Sequence, residues 1–356
     1  MPGRLQAGAH TVGRDSDDTA PGTDGSLERK PGDETPYADL SPDAILDALE
    51  AVGLLPSGGL LELNSYENRV FQLELEDGSF VVGKFYRPQR WSDEQILEEH
   101  RFTRELVDAE IPVVAPIDRN GETLFRHAGY RFAIYPRQGG HPPNLENEDN
   151  LRVLARTIAR IHAVGSVRRF THRGDLSVQQ LGTESRAFLL EHGFLPPDVE
   201  QAYATVTEQL LHRLEQDMAR FRRGNEGRIH GDCHLGNVLW RGDTPHFVDF
   251  DDCRNGPAVQ DLWMLLSGER EERERQLDVI LSAYETFQRF DVSSLALIEP
   301  LRTLRIMHHA AWIARRWHDP AFPRAFPTFD TSRYWSEHVL ALREQQAALD
   351  EPPLAV

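Results

Sequence analysis

The feature that most constrains this chain is the run Ile229-His230-Gly231-Asp232-Cys233-His234-Leu235-Gly236-Asn237-Val238-Leu239-Trp240, followed by His246-Phe247-Val248-Asp249-Phe250-Asp251-Asp252. It reads as a polar loop, a short turn, and a strand that delivers carboxylates to the same place. Asn237 lies five residues after Asp232, and Asp249 twelve residues after Asn237, inside the apolar alternation Phe247-Val248-Asp249-Phe250. Alone, Asp232 reads as an Asx turn or helix cap. With an amide and a second carboxylate at these spacings, it reads as part of a site.

The composition limits what such a site can serve. With 356 residues the chain is long enough for two lobes with sizeable cores. Against 39 Lys and Arg stand 57 Asp and Glu, a formal charge of −18. That excess repels phosphate backbones and argues against nucleic acid as a partner. No run approaches the length of apolar residues that a membrane span needs. The N-terminus lacks the apolar core of a signal peptide, so a cytoplasmic location is expected. The two cysteines, Cys233 and Cys253, flank the site and imply reduced thiols rather than a disulfide framework. Cys233-His234 lacks a second ligand pair at zinc spacing.

Residues 1–36 are rich in Gly, Asp, Thr and Pro without apolar period, and are expected to be a disordered tail. Order is expected from Tyr37. Ser41-Pro42-Asp43 starts a helix whose face is Ile45, Leu46 and Leu49. Strands are expected at 60–63 and 69–75, bracketing Asn64-Ser65-Tyr66-Glu67-Asn68. Asp77-Gly78 turns into a third strand, 79–86. Ser92 and Gln95 form a capping box for a helix to about Asp108. Strands at 111–116, 123–126 and 130–135 complete a small antiparallel sheet. This β-rich lobe spans 37–136, and Pro136 to Pro143 marks the crossover to a second lobe, 137–356. There the pattern is helical from Asn150, with further helices at 183–192, 198–220, 257–268, 271–289, 294–317 and 331–348. The expected fold is α+β and bilobal, with the active cleft between lobes.

Phosphoryl transfer requires a positioned hydroxyl, a divalent cation, and cations or amides around the phosphates. The Asp232–Asn237 spacing matches the kinase pattern H-R-D-L-x-x-x-N, and Asp249 stands where a second metal-binding carboxylate is needed. Asp232 would then orient and deprotonate an alcohol, while Asn237 and Asp249 offer hard oxygens to magnesium. In a strand Asp251 would face the same side as Asp249 and add a metal contact, whereas Asp252 reads as a solvated turn. Lys84, closing Phe80-Val81-Val82-Gly83, matches the strand lysine that contacts α- and β-phosphates; the alternative is an ordinary surface lysine. Its expected ion-pair partner is Glu98 or Glu99, with Glu99 favoured, and the extra Gly83 suggests a bulge or a shifted register. Ser65 and its loop amides could reach phosphate oxygens, or the segment is a plain hairpin loop. Ile134 and Tyr135 are the expected hinge, offering backbone groups to adenine. Asp261 is expected to support the catalytic-loop backbone. His162, His230 and His234 are read as packing and hydrogen-bonding residues. Trp312, Trp317 and the 320–323 stretch are read as C-terminal core that could also wall an acceptor cleft.

His-Gly-Asp-x-His-x-x-Asn followed by Val-Asp-Phe-Asp-Asp resembles the aminoglycoside phosphotransferase and choline kinase superfamily, of protein-kinase-like fold. Leu63 to Val70, Lys84 to Pro88, Gln95 to His100, Arg254 to Leu266 and Asp319 to Pro323 are similar to a branch of bacterial stress-response serine/threonine kinases within it. The resemblance covers about residue 37 to the end. It implies ATP and Mg2+ as cofactors, Asp232 as the catalytic residue, and Asn237 and Asp249 as magnesium ligands, with Asp249 also essential for activity. It further implies contact of Ser65 with ATP, and a role in protecting cells from stress-induced death. The expected activity is transfer of the γ-phosphoryl group to Ser or Thr of a protein substrate, itself included, by a monomer without membrane or nucleic-acid partners. Two departures leave room for a small-molecule acceptor such as an aminoglycoside, choline or homoserine. His230-Gly231-Asp232 lacks the Arg of His-Arg-Asp, and no Ala-Pro-Glu segment follows Asp249. A non-catalytic ATP-binding module is the third reading, against which the intact Asp232, Asn237 and Asp249 set argues.

Overall fold

A computed structural model describes residues 36–221 and 226–356. The reading of residues 1–36 as a disordered tail falls, up to residue 35, outside the described residues. Ten helices and nine strands are described. In chain order these are α1 (Pro42–Ala51), β1 (Pro56–Leu63), β2 (Arg69–Leu75), β3 (Phe80–Phe85), α2 (Asp93–Asp108), β4 (Phe125–His127), β5 (Tyr130–Pro136), α3 (Glu148–Gly165), α4 (Glu184–Glu191), α5 (Pro197–Arg220), β6 (Glu226–Ile229), β7 (Val238–Arg241), β8 (Thr244–Phe247), β9 (Arg254–Pro257), α6 (Val259–Leu262), α7 (Arg270–Tyr284), α8 (Ile298–Ala314), α9 (Ala321–Ala325) and α10 (Ser332–Ala348). Among the described residues, no helix is long and apolar enough to cross a membrane.

The first lobe is an antiparallel five-stranded sheet in the order β1-β2-β3-β5-β4. Side chains alternate across it, as strand geometry requires. Phe71 and Leu73 of β2, Val81 and Phe85 of β3, and Phe132 and Ile134 of β5 pack with Ile45 and Leu49 of α1. Ala133 of β5 faces the other way, with Tyr86 and Ile96 of α2. Pairing of β2 with β3 is regular from Arg69↔Phe85 to Glu74↔Phe80, with Phe71 opposite Gly83. The expected bulge at Gly83 is therefore absent, and the irregularity lies in β1, between Pro56 and Leu60. At Gly83 a Cβ would meet Leu73 Cδ1 at 3.2 Å, so glycine there lets the strand sit against the core. The capping box of α2 forms as its sequence demands: Gln95 N–H donates to Ser92 Oγ at 3.3 Å, and Ser92 N–H to Gln95 Oε1 at 2.8 Å.

Residues 111–116 are not a strand of this sheet. Phe247 N–H donates to Pro112 O at 2.9 Å and Val114 N–H to Phe247 O at 3.0 Å, so the segment pairs with β8 of the second lobe. Apolar runs of this length do not specify their partner, and here a strand of the other lobe took it. Correspondingly Phe102, Leu106, Ile111 and Val113 join the large helical core with Leu154, Ile158 and Phe250.

The helical lobe departs from expectation around 257–268. Instead of one helix, the chain forms the short α6, a 3-10 turn over Trp263–Leu265, and an extended Leu266. Two antiparallel pairs, β7 with β8 and β6 with β9, flank the segments that carry the site. β6 lies directly on α3: a Cβ on Gly165 would come within 2.1 Å of Arg228 O.

Gly165→Ala must force α3 and β6 apart, and overpacking of this kind costs about 1–3 kcal/mol. Denaturant unfolding of this variant should give a midpoint well below wild type. The buried histidines set a second expectation. Burial, with Lys84 and Arg173 nearby, holds His100 down to about 3, and burial, with His309 nearby, holds His338 down to about 4. Both stay neutral in the folded chain, whereas the unfolded chain takes up their protons below the ordinary value of 6.5. Stability should therefore fall as pH drops from about 6.5 towards 4. Thermal unfolding of His338→Leu across that range should show a shallower fall than wild type.

Candidate active site

The loop that carries Asp232 is held from below. Asp261 Oδ2 accepts the His230 N–H at 2.7 Å, and its Oδ1 accepts the Gly231 N–H at 2.8 Å. His162 Nε2 meets the same carboxylate at 2.9 Å, and its Nδ1 meets the Tyr284 hydroxyl at 2.9 Å. Asp261 is 1 % exposed. It therefore does what a buried carboxylate can do at low cost, accepting from several donors at once. His230 Nε2 faces Val248 O at 3.0 Å, so Nε2 carries the proton and Nδ1 is left to accept from Asp232 N–H at 3.4 Å. Gly231 has φ +86°, and a Cβ there would lie 2.2 Å from Asp252 O. Only glycine lets the loop pass this close to the second carboxylate segment.

Asn237 and Asp249 flank the open end of the hairpin that β7 and β8 form. Val238 pairs with Phe247, and Val248 N–H donates to Asn237 O at 3.0 Å. The side-chain N–H of Asn237 donates to Asp232 O at 2.9 Å, which turns its amide oxygen away from the loop. Asp249 is not in a strand, as its apolar neighbours suggested. It has φ 57° and ψ 66°, a left-handed conformation that costs a non-glycine residue about 1 kcal/mol or more, and a 3-10 turn over Phe250–Asp252 follows.

That turn, not strand alternation, brings Asp249 and Asp251 together. Lys84 Nζ lies 2.9 Å from Asp249 Oδ1 and 3.1 Å from Asp251 Oδ1. Burial of Lys84 favours its neutral form, yet Asp249, Asp251 and Glu99 together lift its pKa well above the ordinary value. Asp251 differs from the expectation of a metal ligand. Its side chain is 4 % exposed, and its Oδ2 takes the Asn68 amide at 3.0 Å and the Arg90 guanidinium. Burial opposes its ionisation, but Lys84, Arg90 and Arg173 hold it far below the carboxylate range. It is the buried counter-ion of Lys84, whereas Asp249, at 48 %, stays open to the cleft. Asp252 is likewise paired rather than simply solvated, with Arg90 at 2.9 Å and Arg254 at 3.3 Å.

Glu99 takes Arg173 at 3.2 Å in place of the expected Lys84. Arg173, wholly buried, also donates to Gln95 O at 2.7 Å and to Asp251 O at 2.6 Å, joining α2 to the carboxylate turn. Burial pushes Glu99 up to about 7, against the opposing pull of Lys84 and Arg173. Glu98 accepts the N–H groups of Thr171, His172 and Arg173 at 2.7–2.8 Å and so shapes the segment that presents Arg173.

The expected hinge residues lie within the sheet. Ile134 lies in the α1-side core, and its carbonyl takes the Ile117 N–H at 2.7 Å. Tyr135 pairs with Val82 in the sheet, and its hydroxyl meets that of Tyr86 at 3.0 Å. Strand parity sends Ile134 away from the cleft. The chain leaves the sheet only after Pro136, and His141 then pairs with Trp240 of β7. Gln138-Gly139-Gly140 was the sequence signal for that crossover. Ser65 is half-buried in the β1–β2 loop.

Two residues at the site carry no sequence signal. One is Arg173, in the irregular segment after α3. The other is Arg305 of α8, whose guanidinium bonds Asp232 Oδ1. Gly236 N–H donates to His234 Nδ1, so His234 Nε2 bears the proton and faces Asp232 Oδ2 at 3.4 Å. Burial raises the Asp232 pKa, but His234 and Arg305 outweigh it and keep this carboxyl ionised far below the usual range. The site thus holds an ionised carboxylate, an amide oxygen and a half-exposed second carboxylate beside a buried ammonium. Among the described residues, no three His, Cys, Asp or Glu side chains form a metal cluster. Asn237 and Asp249 would instead offer two hard oxygens, the number typical where phosphate oxygens and water complete a magnesium shell.

Asp261→Asn presents an amide N–H to one of the two loop N–H groups that the carboxylate now accepts. It should lower stability by about 1–3 kcal/mol, measured by denaturant unfolding, and should reduce turnover along with it.

Known proteins resemble this chain in both sequence and fold. A sequence profile described as the phosphotransferase enzyme family, APH, matches residues 60–298. Stress response kinase A of Escherichia coli (strain K12) is 44% identical over 319 residues, covering 89% of this chain and 96% of that protein. A serine/threonine protein kinase, RdoA, of Salmonella typhimurium is 44% identical over 322 residues, with the same coverage. Among solved structures, the amicoumacin kinase hAmiN in complex with AMP-PNP, Ca2+ and Ami shares the fold with TM-score 0.68 at 21% identity, over 88% of this chain and 95% of that one. A microcompartment-associated aminopropanol kinase does so with TM-score 0.65 at 18% identity, over 85% and 98%. The chain belongs to the phosphotransferase enzyme family and has its bilobal, protein-kinase-like fold.

Proposed function

We propose that this protein is a magnesium-dependent serine/threonine protein kinase that moves the γ-phosphoryl group of ATP to a protein hydroxyl, in the cytoplasm and in a stress response. The observation that carries the chemistry is the convergence of Asp232, Asn237 and Asp249 at the open end of one hairpin, with Lys84 beside Asp249. The protein acceptor is supported by the relatives, which bear the names stress response kinase and serine/threonine protein kinase at 44% identity.

In this reading the acceptor hydroxyl hydrogen-bonds Asp232 and is oriented by it. The hydroxyl oxygen forms a bond to the γ-phosphorus, the bond from that phosphorus to the β–γ bridging oxygen breaks, and ADP leaves. The hydroxyl proton passes to Asp232 late in the step. An ionised, strongly stabilised carboxylate suits orientation more than early proton abstraction. Asn237 and Asp249 would hold magnesium, which when bound neutralises charge on the β- and γ-phosphate oxygens. Lys84 and Ser65 would steady the phosphates from the first lobe. Lys84 is already ordered by two carboxylates, so little rotamer freedom remains to be lost.

A second reading, a small-molecule acceptor, has one structural observation behind it. After Asp249 the chain turns at once through Phe250–Asp252 into β9 and α6. No long segment stands there on which a peptide acceptor would lie.

Asp232→Asn and Asp249→Ala should each leave a folded chain whose turnover falls by about two orders of magnitude or more. The assay is transfer of labelled phosphate from Mg-ATP, with the protein itself, a generic protein substrate and a panel of small alcohols as acceptors. Near-wild-type turnover in either variant would sink the site assignment. Label confined to a small alcohol would move the acceptor to the second reading.

A further inference from the structure

The β1–β2 loop that carries Ser65 contains one acid, Glu67, whose side chain is 12 % exposed. Its Oε1 accepts from Arg316 Nη2 at 2.9 Å and lies 3.2 Å from Arg87 Nε and 3.6 Å from Arg90 Nε. Its Oε2 accepts the Trp312 indole N–H at 2.5 Å and lies 2.7 Å from Arg316 Nε. Three guanidiniums and an indole therefore converge on one loop carboxylate. A hairpin loop does not need such anchorage for its own sake, since its backbone can be satisfied by water.

The anchors come from two directions. Arg87 and Arg90 follow β3, and Arg90 also bonds Asp251 and Asp252. Trp312 belongs to α8, the helix that carries Arg305 to Asp232, and Arg316 lies in the turn that ends it. The neighbouring loop residues repeat the pattern. Asn68 bonds Asp251 at 3.0 Å, and Tyr66 packs on Phe326 at 5.6 Å between centroids. The loop's conformation is thus imposed by the second lobe and by the carboxylate turn.

We propose that Glu67 is the positioning residue of a phosphate-covering loop. Its bonds to Arg316 and Trp312 hold Ser65 and the loop amides over the cleft, where they meet the phosphates of the nucleotide. This rests on the reading of the cleft as a nucleotide site. Fixing the loop before the ligand arrives removes an ordering cost that binding would otherwise bear, and only the phosphate end of the ligand feels it.

The test is calorimetric titration of the full chain with Mg-AMP-PNP and, separately, with adenosine, which has no phosphates. Glu67→Gln should weaken AMP-PNP by about tenfold or more, the range seen when a supporting partner of a binding group is lost. Adenosine affinity should stay within about twofold. Trp312→Phe keeps an aromatic ring on the side of Phe322, 5.0 Å away, and removes the N–H together with the pyrrole ring that bears it; it should give a smaller loss of the same kind. Unchanged AMP-PNP affinity in a folded Glu67→Gln chain would overturn the proposal, as would an equal loss for adenosine. If Glu67→Gln does not fold, an unchanged ratio of the two affinities in Trp312→Phe and Arg316→Lys overturns it instead. A wild-type chain that binds AMP-PNP but transfers phosphate to no acceptor would count against the proposed reaction alone, and the affinity ratios would still decide the role of Glu67.

Discussion

The interaction on which the rest of this structure depends is the buried ion pair of Lys84 with Asp251, to which the half-exposed Asp249 adds an oxygen from the cleft side. A charge with 8 % of its side chain exposed cannot stay ionised without partners, and each partner must itself be held. Asp251 is therefore surrounded by Asn68, Arg90 and Arg173, and each of these belongs to a different segment. Breaking the pair would leave uncompensated charge in a low-dielectric site, so the first lobe, α2 and the carboxylate turn are obliged to stay in register. The left-handed backbone at Asp249 persists because this network over-determines it.

A division of labour follows from exposure. The groups that would touch ligands, Asp232, Asp249 and Asn237, are partly open to the cleft. Those that orient them, Asp261, Asp251, Arg173 and His230, are almost wholly buried. Oriented dipoles and charges need no rearrangement at the moment of reaction, which is how a fixed environment favours charge redistribution during phosphoryl transfer. Helix α8 adds a connection that spans the cleft. Arg305 reaches the catalytic loop, and Trp312 reaches the β1–β2 loop. A helix is stiff over this length, so displacement at one end is felt at the other.

Much of the local structure is legible in the sequence. The capping box at Ser92, the register from Asp77-Gly78, and most helices of the second lobe follow from periodicity and caps. The turn that joins the Asn237 segment to the Asp249 segment is legible in their spacing, and it forms as the β7–β8 hairpin. The support of the catalytic loop by Asp261 was legible for the same reason: a lone carboxylate at the head of an apolar helix needs donors, and the loop supplies them. The errors share a cause. Residues 111–116 pair with β8 and not with the first-lobe sheet, and Glu99 pairs with Arg173 and not with Lys84. In each case the residue type was right for the role and the spatial partner was not.

What the sequence determined by itself was therefore the class of fold, the family, and the identity of the groups that could perform phosphoryl chemistry. Those rest on short-range spacing and on residue types whose chemistry has few substitutes. What only the tertiary structure decided was the pairing of charges. Asp251 became a counter-ion instead of a ligand, Arg173 displaced Lys84 at Glu99, and Arg305 and Glu67 acquired partners more than 70 and 240 residues away. Arginines and carboxylates carry no local signal of their partner, because an ion pair is specified by position in space and not by sequence separation. Only packing of the two lobes brings such positions together.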